Sequence, residues 1–370
     1  MEFNFQEILD DIGNTTVFEL GNEARPAEDY ILNAILPEEN HNSYDIDSGN
    51  ATIRPAMVGL VGMDSPYPEG SAIETSEFKE KVAKLANAQT LPEKFLRELQ
   101  ALVYKLEFQG GDSTEAARDT IFNFMNKVIV QPHLDRMEWM RGLTLTTGRI
   151  QWTFGKLTLD VDYEIPTGNF LTHRTGNDGY GGSTSKFWDD MRDMRRQQNG
   201  KLRTRIMSSD TKEMILANEA NQMELVDENT DTGAFSVTKY KIVGGVPVKE
   251  TDPRFSAKFV TYDGEGEVYI PGQAGMRKVK FFPDGIICGI GEYNPNRFVV
   301  GTGATPPPTP VQLGYTHIGP TVEGGGRPGR WVRAYTPQDR PWQLVGEGVT
   351  NGLPVLEAPE RITNASTVMV

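Results

Sequence analysis

From Asn40 to Thr75 the chain runs through thirty-six residues, NHNSYDIDSGNATIRPAMVGLVGMDSPYPEGSAIET, with no helical repeat of apolar positions. Tyr44, Ile46, Ile53, Ala56 and Val58 sit in extended runs around an Asp47-Ser48-Gly49-Asn50 turn signal. Pro66 and Pro68 prevent regular structure beyond it. A connection of this length is out of scale inside a compact domain. It fits a protruding two-stranded loop, which is marginal in water unless it lies on something else. A fold containing it needs a second surface.

The residues before this loop point the same way. Residues 1–50 carry twelve Asp or Glu against one base, Arg25, so they hold −11 of the chain's net charge of −14. Such a segment repels itself and does not collapse into a core of its own. It reads either as a solvated leader or as an arm lying across a neighbouring subunit. Its one apolar cluster is Tyr30, Ile31, Leu32, Ile35 and Leu36, ended by Pro37. The acidic balance argues against a dedicated nucleic-acid binder, which presents a clustered basic face to phosphates. A single cysteine, Cys288 of 370 residues, excludes an internal disulfide and fits a reducing cytosol. No apolar run approaches the roughly 20 residues of a membrane span. MEFNFQEILDDIG carries no secretory signal pattern.

Helices and strands follow in blocks. Ser76 is placed to cap a helix over SEFKEKVAKLANAQ, and Pro92 to start a second, with Leu91, Phe95, Leu99, Leu102, Val103 and Leu106 as its stripe. Asp112 and Glu115 open a longer helix whose apolar face runs through Ala117, Ile121, Phe124, Val128, His133, Met137 and Met140, with a kink expected at Pro132. Beyond Gly142 the period changes to two. Thr144–Thr147, Arg149–Phe154 and Lys156–Ile165 read as strands, the last pair antiparallel. SKFWDDMRDMRRQQNG reads as an amphipathic helix closed by Gly200, KLRTRIM as a strand and SSDTKEMILAN as a capped helix. Strands and tight turns fill residues 235–290. The Pro- and Gly-rich residues 303–330 suggest a surface excursion, and the tail from Leu344 is extended with an Asn351-Gly352 turn. Strands mixed with segregated helices give an α+β class.

Catalytic readings fail on spacing. His41, His133, His173 and His317 stand apart in sequence, with no HExxH or CxxC. His133 falls on the apolar helix face, as a core or interface histidine does. Cys288, inside GIICGIG, reads as a buried inert thiol. GIGE and GNDGYGG match neither phosphate-binding fingerprint. Asp227, Asn229 and Asp231 open like a calcium loop, but Gly233 is one place late and Thr238 stands where the bidentate glutamate belongs. Asp160 and Asp162 share a strand face without a third ligand. The one basic concentration, Lys186, Arg192, Arg195, Arg196, Lys201, Arg203 and Arg205, reads first as a solvated face and second as a dock for an acidic arm, effective within about 8–10 Å in cellular salt.

Several stretches in order carry a family resemblance. HLDRMEWMRGLTLTTGRIQW leads into KLTLDVDYEIP; FWDDMRDM is followed by KLRTRIMSS and DTKEMILAN; GMRKVKFFPDGIICGIG comes later, and PVLEAPERITNASTVMV closes the chain. Together they resemble the Hong Kong 97-type capsid fold, and more closely the lambda-like major capsid protein E family, over most of residues 30–370. Residues 91–107 and 303–330 depart from the pattern. The resemblance implies an N-terminal arm (1–40), an extended loop (41–76) and a peripheral domain (77–182) with a spine helix at about 112–142 and a strand pair at 149–165. It further implies an axial domain (183–343) and C-terminal strands (344–370) returning to the body.

By function, it implies the major head protein of a tailed bacteriophage, self-assembling through hexamers and pentamers into an icosahedral virion capsid in the bacterial host cytoplasm. The double-stranded DNA would be enclosed without sequence-specific binding, and scaffold, portal and decoration proteins are candidate partners. Tyr30, Ile31, Tyr44, Ile46, Arg54, Pro132, Arg192, Arg195 and Arg196 are the expected contacts between subunits. No catalytic residue, cofactor, metal or membrane is expected. The alternatives are an encapsulin-like compartment and a monomeric α+β enzyme.

Overall fold

The computed structural model describes residues 30–53, 73–91, 122–123, 125–154, 157–243, 246–269, 276–293, 312–335 and 344–368, with Lys94, Arg97, Glu98, Ala101 and Lys105. A 3-10 turn at Ile31–Ala34 precedes β1 (Glu38–Asn40). β2 (Asp45–Ile53) and β3 (Ile73–Lys81) then pair antiparallel, from Asp45 opposite Lys81 to Ile53 opposite Ile73. β4 (Ala83–Leu91) follows after Val82. Two sequence expectations change here. Asp47–Asn50 form no turn, because Ser76–Lys79 lie opposite them as a partner strand. Ser76 caps no helix. Ala, Lys and Leu favour helix locally, but β4 finds nine partners in a strand far along the chain, Leu344–Gly352. Non-local pairing outweighs a weak propensity.

Lys94, Arg97, Glu98, Ala101 and Lys105 are helical and exposed at three-to-four spacing, the polar face of the helix expected there. Its apolar stripe beyond Leu91 lies outside the described residues. So do residues 112–121 of the long helix, whose π-helical turn Met125–Val130 leads directly into α1 (Gln131–Thr147). Pro132 has no N–H for the carbonyl of Val128. Asn87 Nδ2 supplies donors instead, 3.3 Å from the Val128 oxygen and 3.2 Å from that of Ile129. The disturbance expected at Pro132 is thus a widened turn just ahead of it.

α1 also runs past Gly142. A Cβ on Gly142 would lie 1.8 Å from the Phe281 carbonyl oxygen, so this glycine marks a crossing of two backbones, not a helix end. Thr144–Thr147 are helical rather than extended. The hydroxyls of Thr144, Thr146 and Thr147 donate to the carbonyls of Met140, Gly142 and Leu143, which ties them into the preceding turn. The helix ends at Gly148, in the left-handed region at φ 67°.

β5 (Arg149–Phe154) and β6 (Leu157–Asp162) form the expected antiparallel pair. After them come α2 (Phe187–Gln197), β7 (Leu202–Met207), α3 (Ser209–Ala217), β8 (Met223–Asn229), β9 (Ala234–Val243) and β10 (Val246–Lys249). The chain continues through β11 (Ser256–Thr261), β12 (Glu265–Tyr269), β13 (Met276–Lys280), β14 (Ile286–Gly291), β15 (Gly314–Thr321), β16 (Arg327–Pro328), β17 (Arg330–Tyr335), β18 (Leu344–Leu356) and β19 (Ile362–Ser366).

Two sheets organise these strands. In the first, β1 lies parallel to β15, β15 pairs with β18, and β18 carries β4 on its far side; β17 and β16 complete it. The chain therefore leaves this sheet at β1 and re-enters it at β4, so both ends of the β2–β3 ribbon are fixed in one sheet. The helix rests on a glycine track. Added Cβ atoms would meet Met125 and Ile129 at Gly346, Ile129 and His133 at Gly348, and Met137 at Gly352. Asn351-Gly352 is consequently inside β18, opposite Gly319 and Ile318, and is not a turn. Nor are residues 303–330 all excursion: every residue of β15 is buried, while 303–311 lie outside the described residues.

The second sheet runs β10-β9-β11-β7-β14-β19, with β8 on β9. Its centre is covered on both faces. Cys288 and Ile290 face a core shared with Met137, Met140 and Leu145 of α1, while Ile287 faces Phe187, Met191 and Met194 of α2. That double burial is why GIICGIG has no alternation. Sheet membership cuts across the linear boundaries at 183 and 343: β15 to β17 belong with β18 in the first sheet, and β19 closes the second.

Candidate assembly surface

Five segments meet at a buried ionic cluster. Glu138 and Arg141 of α1 lie on the same stripe as Leu134, Met137 and Leu145, and both are fully buried. Arg141 Nη1 lies 2.8 Å from Glu138 Oε2, Nη2 lies 3.3 Å from Glu38 Oε1, and Nε donates to Thr316 Oγ1 at 2.9 Å. Glu38 also pairs with Arg330 of β17. The other Glu138 oxygen accepts from the Leu32 N–H at 3.0 Å and the Tyr262 hydroxyl at 2.9 Å. Thr316 in turn donates to the Leu36 carbonyl at 2.8 Å. Burial pushes the Glu138 carboxyl above its ordinary range, and Arg141 opposes that shift. Two carboxylates face two guanidinium groups, and both Glu138 oxygens and all three Arg141 nitrogens have partners, the condition under which buried charge is tolerated. The cluster clamps residues 32–38 onto the helix and the first sheet.

This clamp decides the fate of several expected contacts. Tyr30 hydrogen-bonds Asp135, accepts from Gln131 Nε2 at 2.7 Å and packs edge-on against Phe281 at 5.7 Å. Ile31 is partly buried against the main core, and Ile46 is buried within it. These three are therefore held within their own chain, because the apolar cluster around Leu32 closes over α1. Tyr44 and Pro132 are exposed, at the base of the ribbon and at the start of α1. Arg54 lies outside the described residues. The eight described residues do not share one surface, since Tyr30, Ile31 and Ile46 pack within the chain while Tyr44, Pro132 and the three arginines lie on separate elements.

Arg192, Arg195 and Arg196 are exposed on α2, as an amphipathic helix requires. Arg192 lies 3.0 Å from Asp189, and Arg196 lies 3.3 Å from Asp193. The acidic residues of the same helix thus already screen this face. Asp190 is not among them. It is buried, receiving Arg174 Nη2 at 2.6 Å and the Tyr180 hydroxyl at 2.9 Å.

The histidines are less isolated than their spacing implies. The parallel pairing of β1 with β15 stacks His41 on His317, ring centroids 4.4 Å apart. His317 Nε2 lies 2.9 Å from the Ser43 carbonyl, and burial lowers its pKa. Only a long-range parallel register creates this pair, so no sequence spacing could show it. His133 Nε2 lies 2.9 Å from Asn87 Oδ1; burial, then the charge of Arg330, lower its pKa to about 4. Burial pushes the Cys288 thiol up to about 12, so it carries no thiolate near neutral pH. Asn229 accepts from the N–H groups of Asp231 and Thr232 in the β8–β9 turn, which explains the calcium-like spacing there. Among the described residues no three His, Cys, Asp or Glu side chains are grouped to hold a metal.

Sequence reasoning missed the outward apolar positions. Of eleven large apolar residues exposed among those described, six cluster on β8, β9 and β10: Leu225, Val226, Ile242, Val243, Val246 and Val248. The signal was present as the valine and isoleucine run on both sides of residues 244–245, but a run alone does not reveal which side is covered.

End to end, the architecture matches a solved structure. The crystal structure of a putative capsid protein of a prophage from E. coli CFT073 is 10% identical, covers 100% of both chains and superposes with a TM-score of 0.54. This is the Hong Kong 97-type capsid fold. Structures with that likeness at lower scores include a phage-related protein from Bordetella bronchiseptica RB50 (9% identity, 95% and 96% coverage, TM-score 0.45). Another is the SrpI encapsulin complex of Synechococcus elongatus PCC 7942 (8% identity, 95% and 94% coverage, TM-score 0.40). No protein-family model matches the chain, and no curated protein does.

Proposed function

We propose that this chain is the major capsid protein of a tailed bacteriophage and assembles with copies of itself into the icosahedral head around double-stranded DNA. One observation carries the reading: a capsid fold shared along the full length of both chains. The internal design supports it. The two sheets and α1 share one core and make a rigid tile, while the β2–β3 ribbon extends from the first sheet as a two-stranded element. Such a ribbon is marginal unless it lies on another surface, and a neighbouring tile supplies one.

Assembly needs no catalytic group. Many contacts of ordinary size, roughly 1,200–2,000 Å² each, add up through simultaneous engagement, and closed symmetry ends the growth. The tiles gather as hexamers and pentamers, the second sheet towards the local axis, with scaffold, portal and decoration proteins as further partners. A net charge of −14 keeps packaged DNA from adhering to the inner wall. Negative-stain microscopy of the expressed full chain tests the reading. Closed shells are expected; shells filled by a co-purifying enzyme instead of DNA would make it an encapsulin-like compartment.

A further inference from the structure

Among the described residues, five charged side chains other than histidine are at least nine-tenths buried: Glu138, Arg141, Asp190, Arg205 and Arg330. Four of them meet an opposite charge. Glu138 and Arg141 pair with each other, Arg330 with Glu38, and Asp190 with Arg174. Arg205 does not. It is 8% exposed, its Nε is buried without a partner, and its one hydrogen bond is long, from Nη1 to the Lys258 carbonyl at 3.5 Å. Its guanidinium lies over the Phe259 ring, 5.6 Å from the centroid, which covers a face of the group and leaves its N–H edge unused. Taking such a cation out of water is costly unless a counter-charge meets it.

The backbone explains why this position is recessed yet reachable. β7 and β11 pair in parallel only at Ile206–Val260 and Met207–Thr261. On their other sides, β11 stays paired with β9 back to Ser256, and β7 with β14 back to Leu202. The two strands therefore part just ahead of Ile206, and Arg205 is the first residue in the wedge between them. α2 covers this part of the sheet, with Met194 in the same core as Met207 and Phe259. From that helix the exposed Arg195 adds a second positive charge. Burial, then the charge of Arg195, lower the Arg205 pKa to about 10, which leaves it a cation at neutral pH. Acidic residues of the same region are engaged elsewhere. Asp189 and Asp193 pair with Arg192 and Arg196, and Asp252 accepts from Arg254 Nε at 2.7 Å.

We propose that this wedge binds a small oxyanion of the phosphate class, with the Arg205 guanidinium holding it from within and Arg195 from the exposed side. A guanidinium fork matches phosphate oxygens two at a time, and two such cations together call for a ligand with several negative oxygens. The ligand is small because Arg205 is recessed. A nucleic-acid backbone would need a continuous basic face, and Arg192 and Arg196 are already matched by acids of their own helix. Arg205 thus leaves the solvated basic face that the sequence suggests. The site belongs to the folded chain and does not depend on copies associating.

Calorimetric titration of the full chain with inorganic phosphate, at neutral pH and fixed ionic strength, tests it. Saturable binding of one phosphate per chain is expected, with sulfate competing and acetate binding far more weakly. Arg205→Met should abolish binding and keep the circular dichroism of a folded chain, because an apolar side chain also suits a buried position. Arg195→Gln should weaken binding by about tenfold, the loss of one charge-assisted hydrogen bond. Arg192→Gln, on the same helix but paired with Asp189, should leave the affinity unchanged. If Arg205→Met does not fold, the two exposed helix variants still decide: equal affinities in both overturn the site. Absence of saturable phosphate binding overturns it, and so does binding that survives Arg205→Met. Acetate binding as tightly as phosphate also overturns it, and points to a carboxylate of a second copy as the occupant.

Discussion

Residues 30–46 and the strand ends Tyr240–Val243 and Val246–Val248 all lie outside the middle of a sheet, yet their side chains meet opposite surroundings. In the first, Leu32, Leu36 and Ile46 are buried and Glu38 is paired with Arg141 and Arg330. In the second, Ile242, Val243, Val246 and Val248 face solvent. A chain that leaves no buried charge without a partner around α1, but leaves four aliphatic side chains uncovered on one ribbon, has finished its fold in one place and not in the other. On the proposed capsid reading, the uncovered part is where association can still bury apolar surface.

Changes at the finished region should therefore cost stability, and changes at the unfinished one should cost assembly. The largest stability effect is expected at the ionic cluster. Arg141→Met leaves Glu138 buried without its cation and should lower unfolding free energy by about 3–5 kcal/mol in urea titrations. Adding Glu138→Leu should recover most of that, which separates the cost of an orphaned charge from lost packing. Gly142→Val comes next, at about 3 kcal/mol, because its Cβ meets the Phe281 carbonyl. Gly168→Ala, with nothing within 4 Å of the added carbon, should stay within about 0.5 kcal/mol.

pH probes the same region through His133. Its folded pKa lies near 4, below the unfolded value of 6.5, so folding favours the neutral ring. The stability it contributes is full above pH 6.5 and is lost as the pH falls from 6.5 towards 4, by about 3 kcal/mol. His133→Gln should flatten that part of the profile. The smallest stability change, within about 0.5 kcal/mol, is expected for Val243→Asp with Val246→Asp, because both sites are exposed. A large loss of stability there would erase the contrast between the two regions.

The parts of the fold legible in sequence are those built by neighbours in sequence. The alternation in β6 holds from Leu159 onward, although Leu157 is exposed, and the amphipathic face of α2 survives, as does the cap of α3, where the Ser208 hydroxyl oxygen accepts from Thr211 N–H. Misreadings occur where a distant partner decides. Ala83–Leu91 has a helical composition and becomes a strand because β18 lies beside it. Thr144–Thr147 looks extended and is helical because each hydroxyl finds a carbonyl one turn back. Asn351-Gly352 looks like a turn, but Gly352 is needed for the close approach of Met137. Glu138 and Arg141 could have been noticed as charges on an apolar stripe; their partners Glu38, Thr316 and Arg330 could not, since only the sheet order brings them there.

The central claim is that this chain closes a shell with copies of itself. Electron microscopy of the full chain, expressed and purified without denaturant, tests it most directly. The account predicts closed, isometric shells. A well-folded population that remains a stable monomer at high concentration would contradict it.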